Sequence, residues 1–249
     1  MGRPTPQTLP EVLANITDPR RWADFDALVE VMTEVPSVRG MVYGNVAEIE
    51  FREWLVGKGV PLADQVRDDD HAKTKSDRTI VFQGRRFTIQ MKSLQTNSLR
   101  ERPAGVRGAR AAAVFTGNLQ CDASDRRTVT LSTGTQVETT CYVAGEFDIL
   151  AVGLHPFLGE WDFAFRLNST LPRSTRSTKP TRHLTAAERS ELLKTLVDFE
   201  WPIPKESDWT MDLFGLLAGA PDLGEAVEVD EDTTVVRLPG SRAHVVVEE

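Results

Sequence analysis

The sequence predicts a mixed α/β chain built on one central β-sheet. Three observations carry this reading: apolar residues recur at helical spacing before residue 60, short runs rich in β-branched residues fill 78–167, and a helical signal returns at Thr185. Composition agrees with a folded chain, at 40% hydrophobic and 27% charged residues over 249 positions. Such a length suits one moderately large domain with an appendage: an N-terminal arm and helix over 1–40, a core over 41–200 and a C-terminal extension over 201–249.

Residues 1–20 are proline-rich and read as a loose arm. Trp22, Phe25, Leu28, Val29 and Met32 then repeat at helical spacing, which predicts a first helix ending at Pro36. After a turn at Gly40, a second helix is expected over Val42–Gly57. Ala47, Phe51 and Leu55 stack at i, i+4 and i+8 on it, with Gly57 and Gly59 as stop signals. Val60-Pro61 opens an extended connection. Arg78–Phe82 and Arg86–Ser93 read as paired strands around a Gln83-Gly84-Arg85 turn. Ala111–Phe115, Thr128–Leu131 and Val137–Val143 are further strands, the last two joined through residues 132–135. Phe147–Leu154 is almost wholly apolar, as a strand buried on both faces requires. Trp161–Leu167 follows as another strand. Thr185-Ala186-Ala187-Glu188 is a capping box, expected to open a helix that reaches about Phe199 and stops at Trp201-Pro202. An amphipathic turn at Met211–Leu217, an acidic link over Glu225–Asp232 and a hairpin of Thr233–Leu238 with Ala243–Val247 complete the reading.

Several function classes are excluded by what the chain lacks. Cys121 and Cys141 are its only cysteines, too few for a disulfide scaffold or a four-cysteine zinc site, and both are expected as buried thiols. No Gly-x-Ser-x-Gly or P-loop glycine pattern occurs, and His155 and His183 have no partner at zinc or triad spacing. No apolar run approaches the ~18 residues of a membrane span, and 1–20 holds no apolar core before a cleavage site. A soluble, cytoplasmic protein with no membrane partner is the expectation.

The net charge of −8 hides a strong asymmetry. Residues 71–110 hold ten bases against two acids, and 164–183 add five bases with no acid, whereas 184–249 hold five bases against fifteen acids. The basic segments therefore offer a surface for a polyanion on an otherwise acidic chain.

The chemistry concentrates beside the first of these segments. Alternation along Arg86–Ser93 sends Gln90 and Lys92 to one face and Ile89 and Met91 to the other. The hairpin brings Asp77 back beside Gln90, so that an acid, an amide oxygen and an ammonium share one patch, with Glu48 arriving from the second helix. Phosphodiester hydrolysis asks for these groups: hard oxygen ligands for Mg²⁺ and a cation near the attacking water.

Asp77 with Gln90-Met91-Lys92 thirteen residues on, and Glu48 upstream, resembles the PD-(D/E)XK nuclease motif in the variant where glutamine replaces the second acid. The spacing of Gly44, Glu48, Phe51, Leu55 and Gly59 is similar to the first core helix of restriction-endonuclease-like folds, and the resemblance spans roughly residues 40–170. It implies a restriction-endonuclease-like core, a central mixed sheet flanked by helices. It also implies Mg²⁺-dependent cleavage of double-stranded DNA, with Mn²⁺ as a substitute, and a role in prokaryotic defence. Asp77 is then the principal metal ligand, Gln90 the second, Glu48 an accessory one and Lys92 the residue that orients or activates the nucleophile. The sequence departs from the family at Ser76, where proline is usual, and at Gln90, which removes one negative charge from the metal site.

Structural roles stand beside these. Asp77 suits the approach to a hairpin, Lys92 a solvated strand end, and Glu48 an i,i+4 pair with Arg52, with Glu50 the next candidate on that helix. Asp68-Asp69-Asp70-His71 reads as a solvated acidic run, Asp64 as a weaker substitute for Asp77, and Asp148 as a cap in an apolar strand. Lys73, Lys75, Arg85, Arg86, Arg100, Arg102, Arg107, Arg110, Arg173, Arg176 and Lys179 are the candidate phosphate contacts. Double-strand cutting calls for a homodimer or for successive nicks by a monomer. The rival expectations are a non-catalytic DNA-binding protein on a degenerate nuclease fold, and a partner-binding protein whose acidic C-terminal region masks the basic surface.

Overall fold

The computed structural model describes residues 25–62, 65–66, 76–102, 114–175, 181–220, 222–226, 234–237 and 244–247. The chain divides into two compact units, 1–46 and 47–249. In the first, helix α1 (Phe25–Glu34) gives way after one residue to helix α2 (Pro36–Gly57), whose later half belongs to the second unit. Pro36 opens α2, where the missing N–H is no loss. The sequence expects a turn at Gly40, but the helix runs straight through it, since an interior glycine costs only about 1 kcal/mol relative to alanine. Thr33 Oγ1 donates to the Val29 carbonyl at 2.8 Å and Arg39 Nη1 to that of Thr33 at 3.0 Å, fastening the junction of the two helices.

The second unit is built on a six-stranded mixed sheet. Strands β1 (Gln65–Val66), β2 (Arg78–Phe82) and β3 (Arg85–Lys92) are antiparallel neighbours. Strands β4 (Arg100–Arg102), β5 (Val114–Gln120), β6 (Asp122–Thr130) and β7 (Gln136–Cys141) leave this sheet. The chain then returns as β8 (Ile149–Gly153), parallel to β3, and β9 (Phe163–Leu167), antiparallel to β8, with the short helix α3 (His155–Leu158) between them. All of β8 is buried, as its apolar run demands.

The largest correction falls after the capping box. Thr185 and Glu188 make both of its hydrogen bonds, yet the helix, α4 (Ala186–Ser190), stops there and Leu196–Trp201 is strand β10, antiparallel to β5. Glu191 is drawn to the β6–β7 turn instead, accepting from Ser132 N and Oγ at 2.8 Å, and Leu192 and Leu193 bridge to Val143 and Arg173. Tertiary pairing thus overrides a locally helical pattern. Helix α5 (Leu213–Ala218), strand β11 (Glu225–Ala226) against the start of β3, and the hairpin of β12 (Thr234–Arg237) with β13 (His244–Val247) follow.

Alternation sorts the sheet into two cores. Ile80, Phe82, Phe87, Ile89, Met91, Ile149, Ala151, Phe163 and Phe165 meet Ala47, Phe51 and Leu55 of α2 and Leu213 and Leu217 of α5. Phe51 packs edge-on to Phe163 with ring centroids 4.9 Å apart. Burying a side chain of this size contributes roughly 1.5–3 kcal/mol. On the opposite face Leu150, Val152 and Ala164 meet Leu119, Val197 and Phe199 of the three-stranded sheet β10-β5-β4, together with Tyr142 and Phe147. Helices α2 and α5 therefore cover one face of the mixed sheet, and the three-stranded sheet packs on the other. None of the described helices is long and apolar enough to cross a membrane.

Candidate metal and phosphodiester site

The β2–β3 hairpin turns through Gln83 and Gly84, both at positive φ (52° and 70°), the geometry that matches strand twist in a two-residue turn. That turn fixes the register Arg78↔Ile89, and Asp77 N donates to the Ile89 carbonyl at 3.0 Å, carrying the ladder one residue further. Asp77 therefore arrives beside Gln90, as the alternation requires. Gln90 Nε2 donates to Asp77 Oδ2 at 2.5 Å and Met91 N donates to the same oxygen at 2.7 Å. Gln90 is 3% exposed, so its amide is committed to this pairing in a dry setting where a lost hydrogen bond is costly.

Gln90 and Lys92 leave β3 on the face shared with Leu150 and Val152, their register partners on β8, while Ile89 and Met91 enter the core under α2. Lys92 Nζ donates to the Asp122 carbonyl at 3.0 Å and lies 5.4 Å from the centre of the Tyr142 ring. Burial, and after it the charge of Asp77, pushes the Tyr142 phenol above its ordinary range, so the ring is neutral. Burial likewise raises the Cys121 thiol to about 12, against the opposing charge of Lys92. Cys121 is thus the buried thiol the sequence expects, while Cys141 is half-buried, and both are free.

Asp77, Gln90 and Lys92 are gathered on one strand pair. Glu48 is half-buried on α2 beside Ala47 and Phe51, the helix that packs on the opposite face of β3 from Gln90 and Lys92. Asp148 accepts from Thr88 N and Oγ1, both at 2.8 Å, and so pins the start of β8 to β3, the capping role expected of it. Asp64 and the Asp68–His71 run lie outside the described residues.

The basic candidates separate by what their donors already hold. Arg86 and Arg100 are exposed; Arg100 Nη1 caps the carbonyls of Asn97 and Leu99 at 2.8 and 2.7 Å. Arg85 Nη2 donates to the Gly224 carbonyl at 2.8 Å, and half-buried Arg173 reaches the Ser169 carbonyl at 3.4 Å. Arg102 closes β4. Lys73, Lys75, Arg107, Arg110, Arg176 and Lys179 lie outside the described residues.

Among the described residues no group of three or more His, Cys, Asp or Glu side chains is disposed to hold a metal ion. The donors at hand are one carboxylate, Asp77, and one amide oxygen, Gln90 Oε1, both hard. Both are of the oxygen type that Mg²⁺ takes, an ion that binds through one or two carboxylates and retains much of its water. As placed, Gln90 turns Nε2 and not Oε1 to Asp77, so a cation held by both oxygens requires the amide to turn about its terminal torsion and give up that hydrogen bond.

The surroundings of Lys92 escape a sequence reading. Asp122 and Tyr142 come from the β6–β7 segment, and Arg127 Cζ lies 5.5 Å from the same Tyr142 ring. Arg127 forms a bidentate pair with Glu146. None of these has a spacing relation to Asp77 or Lys92 that marks it. Comparison with protein-family models, curated proteins and solved structures finds no match to this chain.

Proposed function

We propose that this chain is a Mg²⁺-dependent endodeoxyribonuclease of restriction type, built on a restriction-endonuclease-like core. The observation that carries the reading is the Asp77–Gln90 hydrogen bond at the end of the β2–β3 hairpin, with the Lys92 ammonium on the same face of β3. Asp77 and Gln90 would hold the metal, without Glu48, whose helix packs on the other face of β3. A bound Mg²⁺ would supply Lewis-acid polarisation of the phosphoryl oxygen. Lys92 sets its positive charge beside that oxygen and orients the attacking water. Water attack in line expels the 3′ oxygen, which takes up the proton, leaving a 5′ phosphate. Arg86 and Arg100 contact phosphates and set the register of the duplex without reading bases. Two copies of the chain, or successive nicks by one, would cut both strands, and a defence role in a prokaryote follows from the family resemblance.

A second reading is favoured by one specific observation. Asp77 Oδ2 already has two donors, Gln90 Nε2 and Met91 N, so the patch is satisfied without a cation. A protein that binds DNA through this fold and does not cut it is therefore the rival. Supercoiled plasmid incubated with Mg²⁺ or with a chelator separates the two: nicking that needs the metal supports the enzyme, whereas salt-sensitive binding with intact plasmid supports the binder.

A further inference from the structure

A lysine ammonium on a four-carbon stem is a poor fixed charge unless something holds it. Here two groups do. The Asp122 carbonyl accepts from Lys92 Nζ at 3.0 Å, and the Tyr142 ring lies 5.4 Å from that nitrogen, within the range where the negative face of an aromatic ring attracts a cation. We infer that Tyr142 is the positioning residue for Lys92, its ring and the Asp122 carbonyl together fixing the ammonium on the Gln90 face of β3. The inference rests on the reading of Lys92 as the cation of a phosphodiester site.

The ring is itself firmly held. Tyr142 is 4% exposed, its carbonyl accepts from Leu193 N at 2.8 Å, and Phe147 packs edge-on to it with centroids 5.3 Å apart at 86°. Arg127 lies against the same ring, 5.5 Å from its centre, and its charge is matched by Glu146, so the second cation does not repel Lys92 unopposed. Arg127 Nη2 also reaches the Cys141 carbonyl at 3.2 Å, and Glu146 Oε2 accepts from Val143 N at 2.8 Å, which ties both partners to the backbone flanking Tyr142. Burial and the Asp77 charge keep the phenol protonated, so the ammonium meets a neutral ring and not a phenolate. Such a mounting exceeds what filling a core position requires, since a leucine would fill space there without attracting a cation.

The test reads Lys92 directly. Lysine labelled with ¹³C at Cε gives one methylene correlation for each lysine of the full chain, and Lys92→Arg and Lys58→Arg assign two of them. Lys58 is the internal reference, because its Nζ lies 5.1 Å from the Trp54 ring. The Lys92 signal is expected to be displaced upfield by the ring in the parent, to stay displaced in Tyr142→Phe, and to return to the position of solvated lysines in Tyr142→Leu. In plasmid nicking, Tyr142→Leu is expected to lower kcat about tenfold with KM little changed, and Tyr142→Phe to recover most of that loss. A parent spectrum with Lys92 among the solvated lysines overturns the inference even if Tyr142→Leu fails to fold. So does a folded Tyr142→Leu that keeps the upfield shift. A parent that cleaves no DNA removes the nuclease reading alone, and the spectrum still decides how Lys92 is held.

Discussion

The side-chain amide of Gln90 donates to the carboxylate of Asp77 at 2.5 Å, in a position where a second carboxylate would have to repel it. Gln90→Glu puts two acids together at a 3%-exposed position and removes the donor. Without metal this variant is expected to lose about 1–3 kcal/mol of stability. Added Mg²⁺ is expected to restore it, because a cation that binds only the folded site stabilises by mass action. Urea unfolding with Mg²⁺ and with chelator measures both effects; equal stability of variant and parent in chelator would count against the pairing.

Asp148 holds the one parallel junction of the mixed sheet among the described residues. Its carboxylate accepts two hydrogen bonds from Thr88, and Asp148 N donates to the Thr88 carbonyl at 3.0 Å. Asp148→Ala is expected to cost roughly 2–4 kcal/mol in chemical denaturation, since hydrogen bonds to a charged acceptor contribute about 1.5–3 kcal/mol. Asp148→Asn should lose less, because its amide oxygen still accepts.

Glu188 gives an acid-sensitive clamp. Its Oε1 accepts from Thr135 and Thr133 in the β6–β7 turn, and its Oε2 from Thr185 N and Oγ1. These bonds, Thr135 first, lower its carboxyl from 4.5 to about 2. Because the folded value lies below the unfolded one, the stabilisation is fully present above about pH 4.5 and is lost as pH falls toward 2. Thermal unfolding across that window should show the parent losing more stability than Glu188→Gln.

Burial holds the Cys121 thiol protonated, with its value raised to about 12, while no other described cysteine but half-buried Cys141 competes for reagent. At pH 8 a thiol-specific alkylating reagent followed by peptide mass spectrometry is expected to label Cys141 first, with Cys121 labelled only on unfolding. Labelling of Cys121 first contradicts its placement.

The parts of this fold that were legible in the sequence are local. A Gly84 turn between alternating runs sets the β2–β3 register, and that register alone brings Asp77 to Gln90. Terminal pairing of β12 with β13 is legible for the same reason. The strand β10 was not, because Leu192, Leu193, Leu196 and Val197 satisfy helical spacing equally well and only β5 decides between the two. Parallel pairing of β3 with β8 lies across a long excursion through four other strands, which no local signal encodes. The same distance hides Asp122 and Tyr142: their relation to Lys92 exists only once β6 and β7 have folded back over the Gln90 face.

The central claim is that Asp77 and Lys92 perform metal-dependent phosphodiester hydrolysis, and plasmid nicking tests it most directly. The parent should convert supercoiled DNA to open circles or linear product in Mg²⁺ and leave it intact in chelator. Asp77→Ala and Lys92→Ala should each slow conversion by on the order of a hundredfold while still folding. Variants that cut DNA as fast as the parent would contradict the assignment of this site.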